Sequence, residues 1–342
     1  ITSLWTIVRF VAAALSIGAL AWLLAQIYDG PTLAGAVTDS PPPLMSPTAL
    51  VLGLVAVLGI GLSAALAMLA SVKSDQQVIV IAHRGAAGAR PENTLPALQK
   101  AVEDGADWVE IDVQETADGD VVVMHDSDFM KLAGNPLKIW DATQADLADI
   151  DVGTWFDPAY SEARVPTLEQ ALEVTRNKAV LLIELKYYGH DVDLEARTVA
   201  IVEAAGMADQ VATMSLKYPA VQKMRNLRPD WTAGVLAATA VGDVTQLEGD
   251  FIAVNGASVT PRLIAQAQTQ GKKVFAWTIN DPFEMLSMAS LGVDGLITDE
   301  PALAQRVVSA RDELDTHERM FLLFLERFGL LDRLSEPGVS SP

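Results

Sequence analysis

Alternation of apolar and polar residues marks the strands of this chain and sets polar side chains at their ends. Val78 to Ile81 is a β-branched run that predicts a buried parallel strand, followed at once by His83, Arg84 and Gly85. From Trp108 to Val113 the alternation puts Glu110 and Asp112 on one face and Val109 and Ile111 on the other. Val121 to Met124 leads into His125 and Asp126, and Val180 to Lys186 places Glu184 and Lys186 together with Leu185 opposite. More strand-like runs stand near Val211 to Met214, Thr232 to Leu236, Phe251 to Val254, Lys273 to Trp277 and Gly295 to Thr298. Helical patterns separate most of them, including Asp193 to Ala205, Pro219 to Leu227 and Pro261 to Gln270. A helix from Leu95 to Asp104 can take Asn93 or Thr94 as its cap, with Pro96 in its first turn.

This βα repetition predicts an α/β fold, a distorted TIM (β/α)8 barrel over residues 78–311. Polar residues at the C-terminal ends of strands are where such a barrel builds its active site. Two features depart from an ideal barrel. The strand candidates exceed eight, and the link from Asp112 to Val121 is too short for a helical crossover, which predicts a hairpin-like excursion there. The segment 127–166 is long for a βα connection. Its Phe129, Leu132, Trp140, Trp155, Phe156 and Tyr160 predict a small satellite core that doubles as a lid over the mouth.

Apolar sequence is left over at the front. Residues 7–27, dense from Phe10 onward, and 49–72 each meet the ~20 residues needed to span hydrocarbon. Pro41 to Pro43 and Pro47 interrupt the stretch between them. Small residues four apart (Ala14 and Gly18; Gly59, Ser63 and Ala67) suit close packing of two spans. A signal sequence cleaved near Ala34 to Ala36 would explain the first stretch but not the second. The expectation is therefore a membrane region over 1–77, anchored in a lipid bilayer by two transmembrane helices. Arg9 and Lys73 flank the spans while their connecting loop carries only Asp29 and Asp39, so the positive-inside tendency puts the barrel in the cytoplasm. After the barrel, residues 312–342 set Leu314, Phe321, Phe324, Leu325 and Phe328 at helical spacing, up to Gly329. This predicts a C-terminal amphipathic helix that docks on the spans or lies in the membrane interface. Self-association through the membrane helices or this helix is compatible with both patterns.

Composition narrows the partners. With 342 residues, half of them hydrophobic, the chain can bury one large core. A net charge of −20 argues against nucleic acid or anionic lipid headgroups as a general partner. The absence of cysteine excludes disulfides and thiolate metal sites.

One lone buried acid or histidine would read as an ordinary paired core group. Three acids, two histidines, an arginine and a lysine at the ends of four strands cost too much to bury without a ligand. Glu110, Asp112 and Glu184 are hard oxygen donors that suit one divalent ion, Mg²⁺ or Ca²⁺, rather than zinc. Arg84 has the planar fork to clamp a phosphate, and Lys186 adds a point charge. His83 and His125 are the natural acid–base pair, with base and acid left unassigned. Glu92 and Asn93 suit the orienting of those side chains, and Trp277 either a core position or an apolar wall for substrate. His190 and His317 stand outside every motif and read as surface histidines.

The ordered pieces HRG, PENT, EIDV, VVMHD and IELK resemble the glycerophosphodiester phosphodiesterase family. PTLEQAL at Pro166 to Leu172, WTIN at Trp277 to Asn280 and GVDGLITDEP at Gly292 to Pro301 agree, and the resemblance covers about Val78 to Arg311. It implies a metal-dependent barrel enzyme that cleaves glycerophosphodiesters, small-molecule substrates, to glycerol 3-phosphate and an alcohol. It implies the same roles for His83, Arg84 and His125 in catalysis, for Glu110, Asp112 and Glu184 at the metal, and for Lys186 at the phosphate. It further suggests attack by the substrate's own glycerol hydroxyl, through a cyclic phosphate that water opens. A lysophospholipase D, a phospholipase that stops at the cyclic phosphate, and an inactive membrane-tethered binding protein are the alternatives. Every motif position is filled, which weighs against the last.

Overall fold

The structure, a computed structural model, describes residues 77–238 and 242–314 together with positions 59 and 318. Contacts divide the chain into two units, 1–73 and 74–342, and the fold that follows belongs to the second. Its strands are β1 (Ile79–Ala82), β2 (Trp108–Glu115), β3 (Val121–Val123), β4 (Asp128–Phe129), β5 (Asn135–Lys138), β6 (Val180–Leu185), β7 (Val211–Ser215), β8 (Thr232–Ala237), β9 (Phe251–Asn255), β10 (Lys273–Trp277) and β11 (Gly295–Thr298). Eight of these run parallel in the order β1-β11-β10-β9-β8-β7-β6-β2, and β1 pairs with β2 to close a barrel of the TIM type. Helices such as Leu95–Glu103, Leu194–Ala204 and Pro261–Thr269 fill the crossovers.

β3 is the hairpin excursion. It runs antiparallel to β2, with Val113 opposite Val123 and Glu115 opposite Val121. The five residues between them cannot hold a crossover helix, so the chain turns back along the strand it has just left. That reversal is what delivers His125 to the level of Asp112, because the Met124 N–H donates to the Asp112 carbonyl at 2.9 Å. Beyond it the segment 127–166 holds the β4–β5 pair and a separate core of Phe129, Leu132, Ile139, Leu147 and Val152.

Strand alternation divides the barrel's apolar residues into two layers. Val109, Ile111, Leu181 and Ile183 face outward to the helices, while Ile81, Leu182, Phe251, Phe275 and Ile297 fill the interior. Trp108 meets the Phe251 and Phe275 rings edge-on, at centroid distances of 6.4 and 5.5 Å. The Phe251 ring fits because residue 234 has no side chain: a Cβ there would stand 2.1 Å from Cε2. Gly234→Ala should therefore cost about 1–3 kcal/mol by overpacking. Calorimetry should show the melting temperature lower by roughly 3–10 °C; an unchanged value would mean that the interior repacks freely.

The expectation of an integral membrane protein is corrected here. No helix among the described residues is long and apolar enough to cross a membrane. The longest of them, Pro301–Glu313, has 13 residues and carries Arg306, Arg311, Asp312 and Glu313, against the ~20 apolar residues that hydrocarbon requires. Apart from the single positions 59 and 318, the spans expected at 7–27 and 49–72 and the tail helix expected beyond Leu314 lie outside the described residues, as does His317.

Candidate active site

The register of β2 against β6 builds the centre of the site. Asp112 lies directly beside Glu184, and Glu110 beside Leu182, so alternation turns all three carboxylates into the barrel above its apolar plug. One oxygen from each of Glu110, Asp112 and Glu184 falls within 4.8 Å of the others, and the residues are only 1, 1 and 6% exposed. Three buried carboxylates at that spacing repel one another strongly. Burial, then the charges of Asp112 and Glu184, hold the Glu110 carboxyl well above the ordinary range. Burial and Asp112 push Glu184 up to about 7. Asp112 goes the other way: burial would raise it, but Lys186, Arg84 and His125 bring it down to about 2.

The local chain explains why Arg84 and Asn93 sit where they do. Both adopt the left-handed region, with φ of 51° and 55°. Arg84 thereby aims its backbone N–H at Glu110 Oε2, 2.7 Å away. Gly85 follows with φ 80°, and a Cβ on it would lie 2.6 Å from the Ala97 carbonyl carbon, so only glycine passes under the helix Leu95–Glu103 here. The Arg84 guanidinium donates to Glu92 Oε1 at 3.0 Å and lies 3.3 Å from Asp112 Oδ2. Glu92 also receives Lys131 from the insertion, at 2.9 Å. Thr94, rather than Asn93, caps the helix. Asn93 instead grips Asp112, its Nδ2 donating to Oδ2 at 2.8 Å and its Oδ1 accepting from the Asp112 N–H at 3.2 Å. Lys186 Nζ stands 2.9 Å from Glu184 Oε1 and 3.4 Å from Asp112 Oδ1.

Each histidine is backed by a carboxylate. His83 Nδ1 lies 2.7 Å from Asp299 Oδ1, and Asn280 donates from Nδ2 to the other Asp299 oxygen at 2.6 Å. His125 Nδ1 lies 2.7 Å from Asp126 Oδ1. An ionised carboxylate only accepts, so both contacts place a proton on Nδ1 and leave Nε2 to meet a substrate. Burial would raise Asp299, but the His83 hydrogen bond and charge and the Asn280 amide hold it below the usual range. His125 is lowered, first by burial and then by the nearby Arg84 and Lys186 charges.

Trp277 packs among the interior residues at the mouth end of β10, and its buried indole N–H has no hydrogen-bond partner. His190 is exposed, as expected, and its ring stacks on Trp140 at a centroid distance of 4.2 Å. A cavity of about 690 Å³ lies elsewhere, between the helix Leu95–Glu103 and the insertion, lined by Leu95, Leu147, Tyr160 and Val165. Neither the Glu110, Asp112 and Glu184 carboxylates nor His83 and His125 border it. Asp126, Asn280 and Asp299 stand within the sequence motifs, which by themselves assign them no task. The available signal was their place, like His83 and Glu184, at the C-terminal end of a strand.

The carboxylate triad can hold a divalent cation. It offers oxygen donors alone, and its mutual repulsion is relieved only by positive charge.

The sequence profile of the glycerophosphoryl diester phosphodiesterase family matches residues 83–303. The Bacillus subtilis protein YhdW is 31% identical over 229 residues, covering 65% of this chain and 94% of its own. The glycerophosphodiester phosphodiesterase of Caldanaerobacter subterraneus is 29% identical, covering 66% and 95%. Among solved structures, a phosphodiesterase of Oleispira antarctica in complex with the product sn-glycerol-3-phosphate superposes with a TM-score of 0.64 at 28% identity, covering 68% of this chain and 96% of its own. A glycerophosphodiester phosphodiesterase of Agrobacterium tumefaciens gives 0.60 at 27% identity, covering 67% and 99%.

Proposed function

This chain belongs to the glycerophosphoryl diester phosphodiesterase family, and on that premise we propose that it hydrolyses glycerophosphodiesters to glycerol 3-phosphate and an alcohol. The observation that carries the reading is the convergence of Glu110, Asp112 and Glu184 beside two imidazoles with free Nε2 atoms. A Mg²⁺ or Ca²⁺ ion held by the three carboxylates would neutralise the nonbridging phosphoryl oxygens. Arg84 and Lys186, which here face Asp112 and Glu184, have N–H groups left over for those same oxygens. The Trp277 indole N–H, buried without a partner, suits a glycerol hydroxyl.

Two proton transfers are required, and two imidazoles are in place. One Nε2 takes the proton of the attacking hydroxyl as its oxygen closes on phosphorus. The other, protonated, gives its proton to the departing alkoxide. The hydroxyl is that of the substrate's glycerol, giving a cyclic phosphate that a water molecule then opens with the two roles reversed. Asp299 and Asp126 keep both rings in the tautomer that leaves Nε2 in play.

Phosphorus NMR of glycerophosphocholine turnover tests the reading. Glycerol 3-phosphate should accumulate with free choline; release of phosphocholine, or no turnover with divalent ions present, would refute it.

A further inference from the structure

The backbone that carries His125 has left the sheet, since β3 ends at Val123. Its next three carbonyls are nonetheless held, and by side chains. Gln114 donates from Nε2 to the Met124 and Asp126 carbonyls, each at 2.7 Å. The Tyr188 hydroxyl donates to the carbonyl between them, that of His125, also at 2.7 Å. A carboxamide nitrogen has two hydrogens, one for each carbonyl, whereas the flipped amide would set oxygen against oxygen. Gln114 is 2% exposed and follows Asp112 on the inward face of β2. Tyr188 is 39% exposed in the chain just after β6, so core filling does not account for it.

We propose that Gln114 and Tyr188 form a backbone clamp that positions His125, together with its partner Asp126, for proton transfer. The proposal rests on the reading of His125 as a proton-transfer group. Gln114 reaches from the strand that supplies Glu110 and Asp112, and Tyr188 from the chain that follows Glu184 and Lys186. The clamp therefore ties the imidazole to the same two strands that hold the carboxylates. Proton transfer needs the imidazole within hydrogen-bond reach of a moving proton, so a displacement of even about 1 Å is felt in rate before it is felt in binding. Both are positioning residues: they act on His125 through its backbone.

Tyr188→Phe removes one O–H and keeps the exposed ring, so it should fold as the parent does. Losing a hydrogen bond worth about 1 kcal/mol should lower kcat about fivefold, with KM within about twofold. Gln114→Met strips both flanking carbonyls of their donor and should lower kcat further. If that buried change prevents folding, Tyr188→Phe alone carries the test. The distinguishing measurement is the double variant with His125→Ala. If Tyr188 acts through His125, adding Tyr188→Phe to His125→Ala should change kcat by less than about twofold. Full multiplication of the two effects, or a Tyr188→Phe change confined to KM, would overturn the clamp while leaving the reading of the site intact. A His125→Ala variant with near-normal kcat would overturn that reading and the clamp together.

Discussion

His125→Ala should lower kcat by about a hundredfold or more, the usual loss when a general acid or base is removed, with the fold unchanged. The imidazole belongs to none of the apolar clusters and hydrogen-bonds through Nδ1 to Asp126 alone, so its removal leaves no core cavity. The barrel should melt within a few degrees of the parent and keep its circular dichroism. Because a small imidazole can diffuse into the vacated volume, exogenous imidazole should restore part of the rate. Asp299→Asn should weaken the enzyme through His83 by a different route. Both Asp299 oxygens accept, one from His83 Nδ1 and one from Asn280 Nδ2. An amide has a single acceptor oxygen and no charge to stabilise the imidazolium, so the pairing behind His83 is broken on one side and kcat should fall. Near-normal turnover by His125→Ala would remove His125 from the chemistry.

Much of this arrangement was legible in the alternation of single strands. Glu110, Asp112, Glu184 and Lys186 were assigned to shared faces by period two alone, and the structure keeps them there. The reversal at Thr116 to Asp120 was legible because the link from Asp112 to Val121 is too short to hold a helical crossover. Contacts between distant strands were not. His83 and Asp299 lie 216 positions apart and meet because β1 and β11 are neighbours, with Ala82 beside Thr298. Nothing in either local sequence encodes that pairing. The choice between Asn93 and Thr94 as helix cap was equally undetermined, since both side chains can cap. Asn93 tolerates a positive φ better than threonine does, and Asp112 offers its amide a partner, so threonine takes the cap. The insertion's elements, two to four residues each, are too short to repeat the period of a strand or a helix often enough to show it.

Removal of divalent ions should abolish turnover, and the metal-free protein should show why. Glu110, Asp112 and Glu184 are buried within 4.8 Å of one another, and Arg84 and Lys186 offset only part of that charge. A bound cation relieves the remaining repulsion in the native state alone, so Mg²⁺ or Ca²⁺ should raise the melting temperature in proportion to the logarithm of its concentration above Kd. Glu184→Gln removes one of the repelling charges. It should weaken ion binding about tenfold or more, abolish most of the thermal shift, and leave the metal-free barrel as stable as the parent or more so. Ion uptake should also release protons. Glu184 is held up to about 7 and Glu110 well above the ordinary range, so the incoming cation must displace protons from both, and affinity should rise as pH climbs to about 7 and beyond. Calorimetric titrations in two buffers of different ionisation heat would count those protons. Full activity in excess chelator, or a Glu184→Gln variant that binds Mg²⁺ and Ca²⁺ as the parent does, would take the metal away from these three carboxylates.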